Sequence, residues 1–146
     1  MVGEPFELER FVAAQDGGQN YQQALVELRH GHKRGHWIWF VFPQLAGLGS
    51  SSMAERYAIR SLDEARAYLQ HPVLGERLVE CAEALLGLDG DDPVAVMGTI
   101  DALKLRSSMT LFTSPPGANP VFERVLARYY LGRPDPVTMR LLLHGG

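Results

Sequence analysis

Apolar residues along this chain recur at helical spacing, and polar punctuation falls between them. Leu8, Phe11 and Val12 share one face of a helix expected over Phe6 to Gln15, closed by Asp16-Gly17-Gly18. Asn20 reads as an N-cap with Gln23 as its capping-box partner, and Tyr21, Leu25 and Leu28 carry that helix on to Gly31. Ser61 and Glu64 form a clearer capping box, opening a helix that closes near His71. Pro72 fits the first turn of the next helix, which turns Val73, Leu74, Leu78, Cys81, Ala82 and Leu85 inward before Gly87. Asp92-Pro93, Asn119-Pro120 and Asp135-Pro136 repeat one device, a capping side chain followed by a proline that needs no N–H partner. Asp101 predicts the start of a further helix running to about Phe112.

No convincing period-2 run exists. Trp37 to Phe42 is six bulky apolar residues before Pro43, which periodicity alone reads as a buried strand or a short buried helix. A lone strand would have no partner, so a helix is expected. Ser114-Pro115-Pro116-Gly117 is a loop inside the domain. The fold class is therefore all-α: one compact domain over residues 1–146, built from about seven or eight short helices.

Composition narrows the function classes. At 146 residues the chain buries roughly two-thirds of its unfolded surface and needs no staples. Its net charge is −3 without a basic block, which excludes a dedicated binder of double-stranded nucleic acid. The longest apolar run, Trp37 to Phe42, is far too short to span a membrane, and the first residues lack a signal-peptide layout. A single cysteine, Cys81, permits no internal disulfide and fits a reducing cytoplasm; in an apolar helical stretch it reads as an inert buried thiol. His30, His32 and His36 have a spacing that imidazole ligation of zinc or nickel would use, but Lys33 and Arg34 between them repel a dication. Only Glu27 could complete such a set, so neither a metal nor another cofactor is expected.

The chemistry concentrates in two places. Between His30 and Gln44 a cationic, hydrogen-bonding stretch runs directly into an aromatic one. Trp37 and Trp39 either fill the core or stack on a planar ring, and Gln44 supplies an amide donor and acceptor beside them. The following Gly47-Leu48-Gly49-Ser50-Ser51-Ser52 is a helix-capping loop that could also cradle an anion, though no strand precedes it as a dinucleotide fingerprint requires. In the second place, Lys104, Ser107 and Ser108 lie at i, i+3 and i+4 on one helical face, beside a core face of Leu105, Met109 and Phe112. A lysine with two hydroxyls suits phosphate or carboxylate; small serines equally suit close helix packing. Neither serine sits in a nucleophile elbow. Asp63 and Glu64 are first-turn carboxylates that complement a helix dipole.

The runs His36-Trp-Ile-Trp-Phe-Val-Phe-Pro-Gln44, Gly47-Leu-Gly49, Tyr57-Ala-Ile59, Ser61-Leu-Asp-Glu-Ala65 and Leu103-Lys-Leu-Arg-Ser-Ser-Met-Thr-Leu-Phe112 resemble a bacterial family of small helical proteins of unknown function, sometimes labelled calpastatin. The resemblance implies an all-α fold and no particular activity. The calpastatin label conflicts with composition, because a disordered protease inhibitor would be hydrophilic and repetitive. A looser resemblance, through Glu55-Arg56-Tyr57 and the later helix from Lys104 to Phe112, is to the α-rich NADAR superfamily, which handles ADP-ribose-type nucleotides. The Gly-rich, asparagine-containing signature of that superfamily is absent, with Gly132-Arg133-Pro134-Asp135 in its place.

Two functional expectations follow. In the first, the chain binds or processes an anionic small molecule of nucleotide type. His36, Trp37, Trp39, Gln44 and Tyr57 then contact its rings, Lys33, Lys104, Ser107 and Ser108 hold its charged groups, and His36 is the general acid or base if chemistry occurs. In the second, the domain is a non-catalytic interaction module whose aromatic segment is core or partner surface, with no protein partner named by the sequence. The first requires the histidine–tryptophan segment and the Lys104–Ser108 ridge to meet across one concave surface.

Overall fold

A computed structural model describes residues 5–145. Among them the chain forms α1 (Glu9–Asp16), a single 3-10 turn (Gly17–Gln19), α2 (Asn20–His30), α3 (Ile38–Val41), α4 (Ser52–Arg56) and α5 (Leu62–Gln70). There follow α6 (Leu74–Leu86), α7 (Pro93–Met97), α8 (Thr99–Thr113), α9 (Val121–Tyr130) and α10 (Pro136–Gly145). The all-α class holds. The helices outnumber those the pattern predicts because α3, α4 and α7 have only four or five residues, too few for a periodicity to register. Trp37 to Phe42 is helical: Val41 and Phe42 donate back to the carbonyls of Trp37 and Ile38. Extended pairing among the described residues is limited to one parallel bridge, in which Ile59 N–H donates to Gln44 O and Ala46 N–H to Ile59 O. No helix of the described chain is long and apolar enough to cross a membrane.

Local capping chemistry sets most helix starts. Ser61 Oγ accepts from Glu64 N–H, Asp92 Oδ1 from Val94 N–H, Asn119 Oδ1 from Val121 N–H, and Asp135 Oδ2 from Thr138 N–H. Three expected caps are corrected. Asn20 is inside α2, and its amide donates to Ala14 O at the end of α1, while Gln23 reaches Glu27 instead of a backbone N–H. Pro72 precedes the helix rather than opening it, because the His71 ring accepts from the N–H groups of Val73 and Leu74. Asp101 lies in the first turn of α8, which starts one residue after Gly98; there the backbone takes φ 84°, a left-handed value that favours glycine, and Asp101 turns to lysines.

Helix α8 is the hub, packing against α9, α7, α10, α5 and α3. From Leu105 to Phe112 nearly every side chain is buried, so the ridge of Ser107 and Ser108 is not a solvent face. Ser107 and Thr110 return their hydroxyls to the carbonyls one turn back, Leu103 and Arg106, which lets neighbouring helices approach without orphaning those oxygens. Around this helix runs a chain of aromatic contacts from Phe40 through Tyr57, Phe11, Tyr68 and Phe112 to Phe122, with centroids 5.1–6.1 Å apart. Arg10 ties the same region together: its guanidinium donates to the carbonyls of Phe6, Arg56 and Ala58 and to the buried Glu64 carboxylate. Cys81 is fully buried, and burial pushes its thiol up to about 12, as an inert core cysteine requires.

Gly75, at the start of α6, lies close against the end of α5: a Cβ added there would lie 2.1 Å from Leu69 O. Helix propensity alone would make Gly75→Ala stabilising by about 1 kcal/mol. The backbone clash reverses the sign, and the variant is expected to lose about 1–3 kcal/mol or more in urea unfolding. A neutral or raised midpoint would mean that α5 and α6 separate easily.

Candidate functional site

The site begins with a buried carboxylate. Gly31 ends α2 in a left-handed conformation, and one turn earlier Glu27 points under the loop that follows. Its Oε1 accepts from the N–H groups of Arg34 (2.8 Å) and Gly35 (2.9 Å) and from the indole Nε1 of Trp37 (2.9 Å). Its Oε2 accepts from the Gln23 amide at 2.7 Å. Burial alone would push this carboxyl up, but the hydrogen bonds from Gly35, Gln23, Arg34 and Trp37 outweigh it and bring it down to about 2. Glu27 therefore folds the loop and seats Trp37, whose ring is 2% exposed and packs on Phe42. Gly35 completes the fit, since a Cβ there would lie 2.8 Å from Trp37 Cδ1.

Lys33 is held just as firmly. Its ammonium pairs with Asp101 at 2.7 Å, donates to Gly35 O and sits 4.9 Å from the Trp37 ring centroid, and its side chain is 7% exposed. The three histidines do not converge: His30 bonds Val26 O at the end of α2, His32 is exposed, and His36 is exposed at the mouth of a cavity. Among the described residues no group of His, Cys, Asp and Glu is arranged to hold a metal.

Past Trp37 the helical turn rotates Trp39 outward. Trp39 is half-buried and borders two cavities, one of about 400 Å³ shared with His36, Thr99 and Asp101, and one of about 230 Å³ shared with Gln44, Tyr57 and Arg60. A third cavity of about 440 Å³ is walled by Lys104, Ser107, Ser51, Leu103, Ile100 and Gln44. Gln44, Gly49 and Ala54 are common to the second and third, and Ile100 to the first and third, so the three form neighbouring parts of one groove. On its wall Lys104 Nζ lies 5.1 Å from the Trp39 ring centroid and 3.8 Å from Asp101. The Trp39 indole N–H is buried and has no hydrogen-bond partner among the described residues, and the same holds for Ser108 Oγ.

Of the residues the sequence singles out, His36, Trp39, Gln44, Tyr57, Lys104 and Ser107 border this groove. Trp37 and Ser108 are enclosed away from its walls, and Lys33 borders it with its charge already matched. Ser51 caps α4 through Ala54 N–H, so the glycine–serine stretch is a capping loop that also forms a wall. Asp101, Ile100, Leu103 and Arg60 are groove residues that sequence reasoning missed. Ile100 and Leu103 carried a readable signal, being large apolar residues off the Leu105–Met109–Phe112 face. As for chemistry, no hydrogen bond among the described residues orients the His36 imidazole, so the arrangement is equipped for binding before catalysis.

Residues 5–142 match the family model described as Protein of unknown function (DUF1810). The chain belongs to the DUF1810 family. It is also similar, at 52% identity, to a conserved hypothetical protein from Mycobacterium tuberculosis whose crystal structure was solved at 1.38 Å; the likeness covers 96% of this chain and 99% of that one, with a TM-score of 0.92. No curated protein matches the sequence. The DUF1810 assignment agrees with the bacterial family of unknown function that the sequence motifs resemble, and neither match adds support for the NADAR superfamily or the calpastatin label.

In this DUF1810 chain the Glu27 cluster sets an acid limit on stability. Its folded-state value of about 2 lies below the ordinary 4.5, so its contribution is full above pH 4.5 and lost as pH falls toward 2, a span worth about 3 kcal/mol. Urea unfolding followed from pH 7 to pH 2.5 should show that loss in the native protein and a flatter acid limb in Glu27→Gln. Equal acid slopes for the two proteins would remove Glu27 from this role.

Proposed function

We propose that this protein binds a planar, anionic small molecule of nucleotide type in the groove around Trp39 and Lys104. The observation that carries the reading is the Lys104 ammonium resting over a half-buried tryptophan face, with the lysine on the wall of one cavity and the tryptophan on the walls of two that share residues with it. An aromatic face and a cation at one point are what a ring bearing a negative group requires. Gln44 offers an orienting amide, the Ser107 oxygen, its proton given to Leu103 O, is left as an acceptor, and apolar Ile100 and Leu103 border the rest. His36, exposed at the far mouth, is the group placed to exchange a proton with a bound molecule.

A second reading, a non-catalytic interaction module, is favoured by one observation: Ile100 and Leu103 are 69% and 63% exposed on the groove rim, where a partner side chain could cover them. Isothermal titration with cyclic AMP and AMP separates the two, because a protein-docking surface has no use for Lys104 as a nucleotide contact. Lys104→Ala is expected to weaken nucleotide binding at least about fivefold while shifting stability by no more than about 0.5 kcal/mol, since its side chain is 26% exposed and only loosely paired. Trp37→Ala, which removes a fully buried ring, should by contrast cost about 3–5 kcal/mol. Unfolding of Lys104→Ala, or unchanged affinity in that variant, would overturn the binding reading.

A further inference from the structure

Resting on the groove reading, we infer that the ligand carries a single negative charge, which points to singly charged aromatic anions, cyclic nucleotides or heteroaromatic monocarboxylates, and away from pyrophosphates. The inference comes from the charges on the groove walls. Three cations border it, Lys33, Arg60 and Lys104, against three carboxylates, Glu55, Asp101 and Asp135. Each cavity holds one of each sign, so the groove as a whole has no positive field with which to gather a polyanion.

The groups differ in how far they are already used. Lys33 and Asp101 neutralise each other at 2.7 Å, and the Lys33 side chain is buried under Trp37. Asp135 spends one carboxylate oxygen on the N–H and hydroxyl of Thr138, capping α10. Glu55 and Arg60 are both exposed and border the same small cavity, where their charges offset. Lys104 is the cation at the Trp39 ring. It is 3.8 Å from an Asp101 oxygen whose carboxylate is already committed to Lys33, and it faces the groove over Trp39. Beside Trp39, one cation matches one anionic group. A second negative charge in the Lys104 cavity would meet Asp135, with Asp101 also close to the lysine, and no further lysine or arginine lines that cavity.

The shape of the groove agrees. The Trp39 face and the cavity toward Tyr57, about 230 Å³, suit one ring system, and Gln44 stands between it and the Lys104 cavity to bond a ring amide or amidine. Ile100 and Leu103 give the ligand an apolar flank beside Lys104. A compact molecule with a ring and one charge fills these positions.

The test is isothermal titration of the native protein with a charge ladder at constant ring: adenosine, cyclic AMP, AMP and ADP, and in parallel nicotinamide against nicotinate. Within each ring series the singly charged member is expected to bind tightest, with affinity falling about threefold or more for each further charge, the scale of an exposed charge contact. Asp101→Asn adds one net positive charge and should shift the preference toward AMP over cyclic AMP by at least a similar factor. Lys104→Gln should reduce cyclic AMP to the level of adenosine. Tightest binding by ADP, or an unchanged AMP to cyclic AMP ratio in a folded Asp101→Asn protein, overturns the single-charge inference and leaves the groove reading standing. Absence of binding by every compound overturns both. If Asp101→Asn does not fold, the ladder on the native protein decides alone.

Discussion

A carboxylate taken out of water must be supplied with donors, and Glu27 obtains all of its own from one short loop and the residue a turn before it. That requirement bends the chain after α2 sharply enough to bring the Trp37 indole back over the helix. The direction of α3 follows from it. Four residues cannot sustain a helix alone, and α3 is secured at its other end by a second buried polar side chain, Gln15, whose amide donates to Phe40 O at 2.8 Å. With both ends fixed, Trp37 faces the core and Trp39, two residues on, turns to the groove. Only then does Lys104 on α8 meet an aromatic face.

How much of this the sequence discloses depends on how local each interaction is. The caps at Ser61, Asp92, Asn119 and Asp135 are contacts across two or three residues, and they read correctly. Asn20 and Asp101 are chemically just as good caps, but each is drawn off by a partner distant from its own first turn, Ala14 O for one and Lys33 for the other. Trp37 and Trp39 cannot be told apart in a sequence, because what separates them is the acceptor on Glu27. The ridge of Lys104, Ser107 and Ser108 is legible as a helical face, yet α8 passes from the surface into the core along its length, so the lysine stays accessible while Ser108 is completely enclosed. Gln44, Lys104 and Ser107 announced themselves as polar interruptions of an apolar pattern. Asp101, which pairs with both Lys33 and Lys104, looked like a cap.

Beneath the groove wall a hydrogen-bond donor is left unspent. A buried N–H without a partner, such as that of Trp39, costs about 1–3 kcal/mol, and the surrounding core sustains it. Two tryptophans of one short segment are thus treated in opposite ways: one has its indole N–H satisfied and its ring enclosed, the other keeps an unpaired N–H and a face covered only by a lysine side chain. A scaffold that rigidifies one ring at a loop's entrance gives the other a fixed place on the groove wall.

The account depends most on Glu27 holding the loop, and hydrogen exchange measures that directly. The amide protons of Arg34 and Gly35 and the indole proton of Trp37 lie outside any helix ladder, so their retention reports the carboxylate clamp alone. Followed by NMR in deuterated buffer at neutral pH, all three are expected to exchange as slowly as amides within α2. Exchange of these protons at the rate of an open loop, while α2 remains protected, would contradict the account.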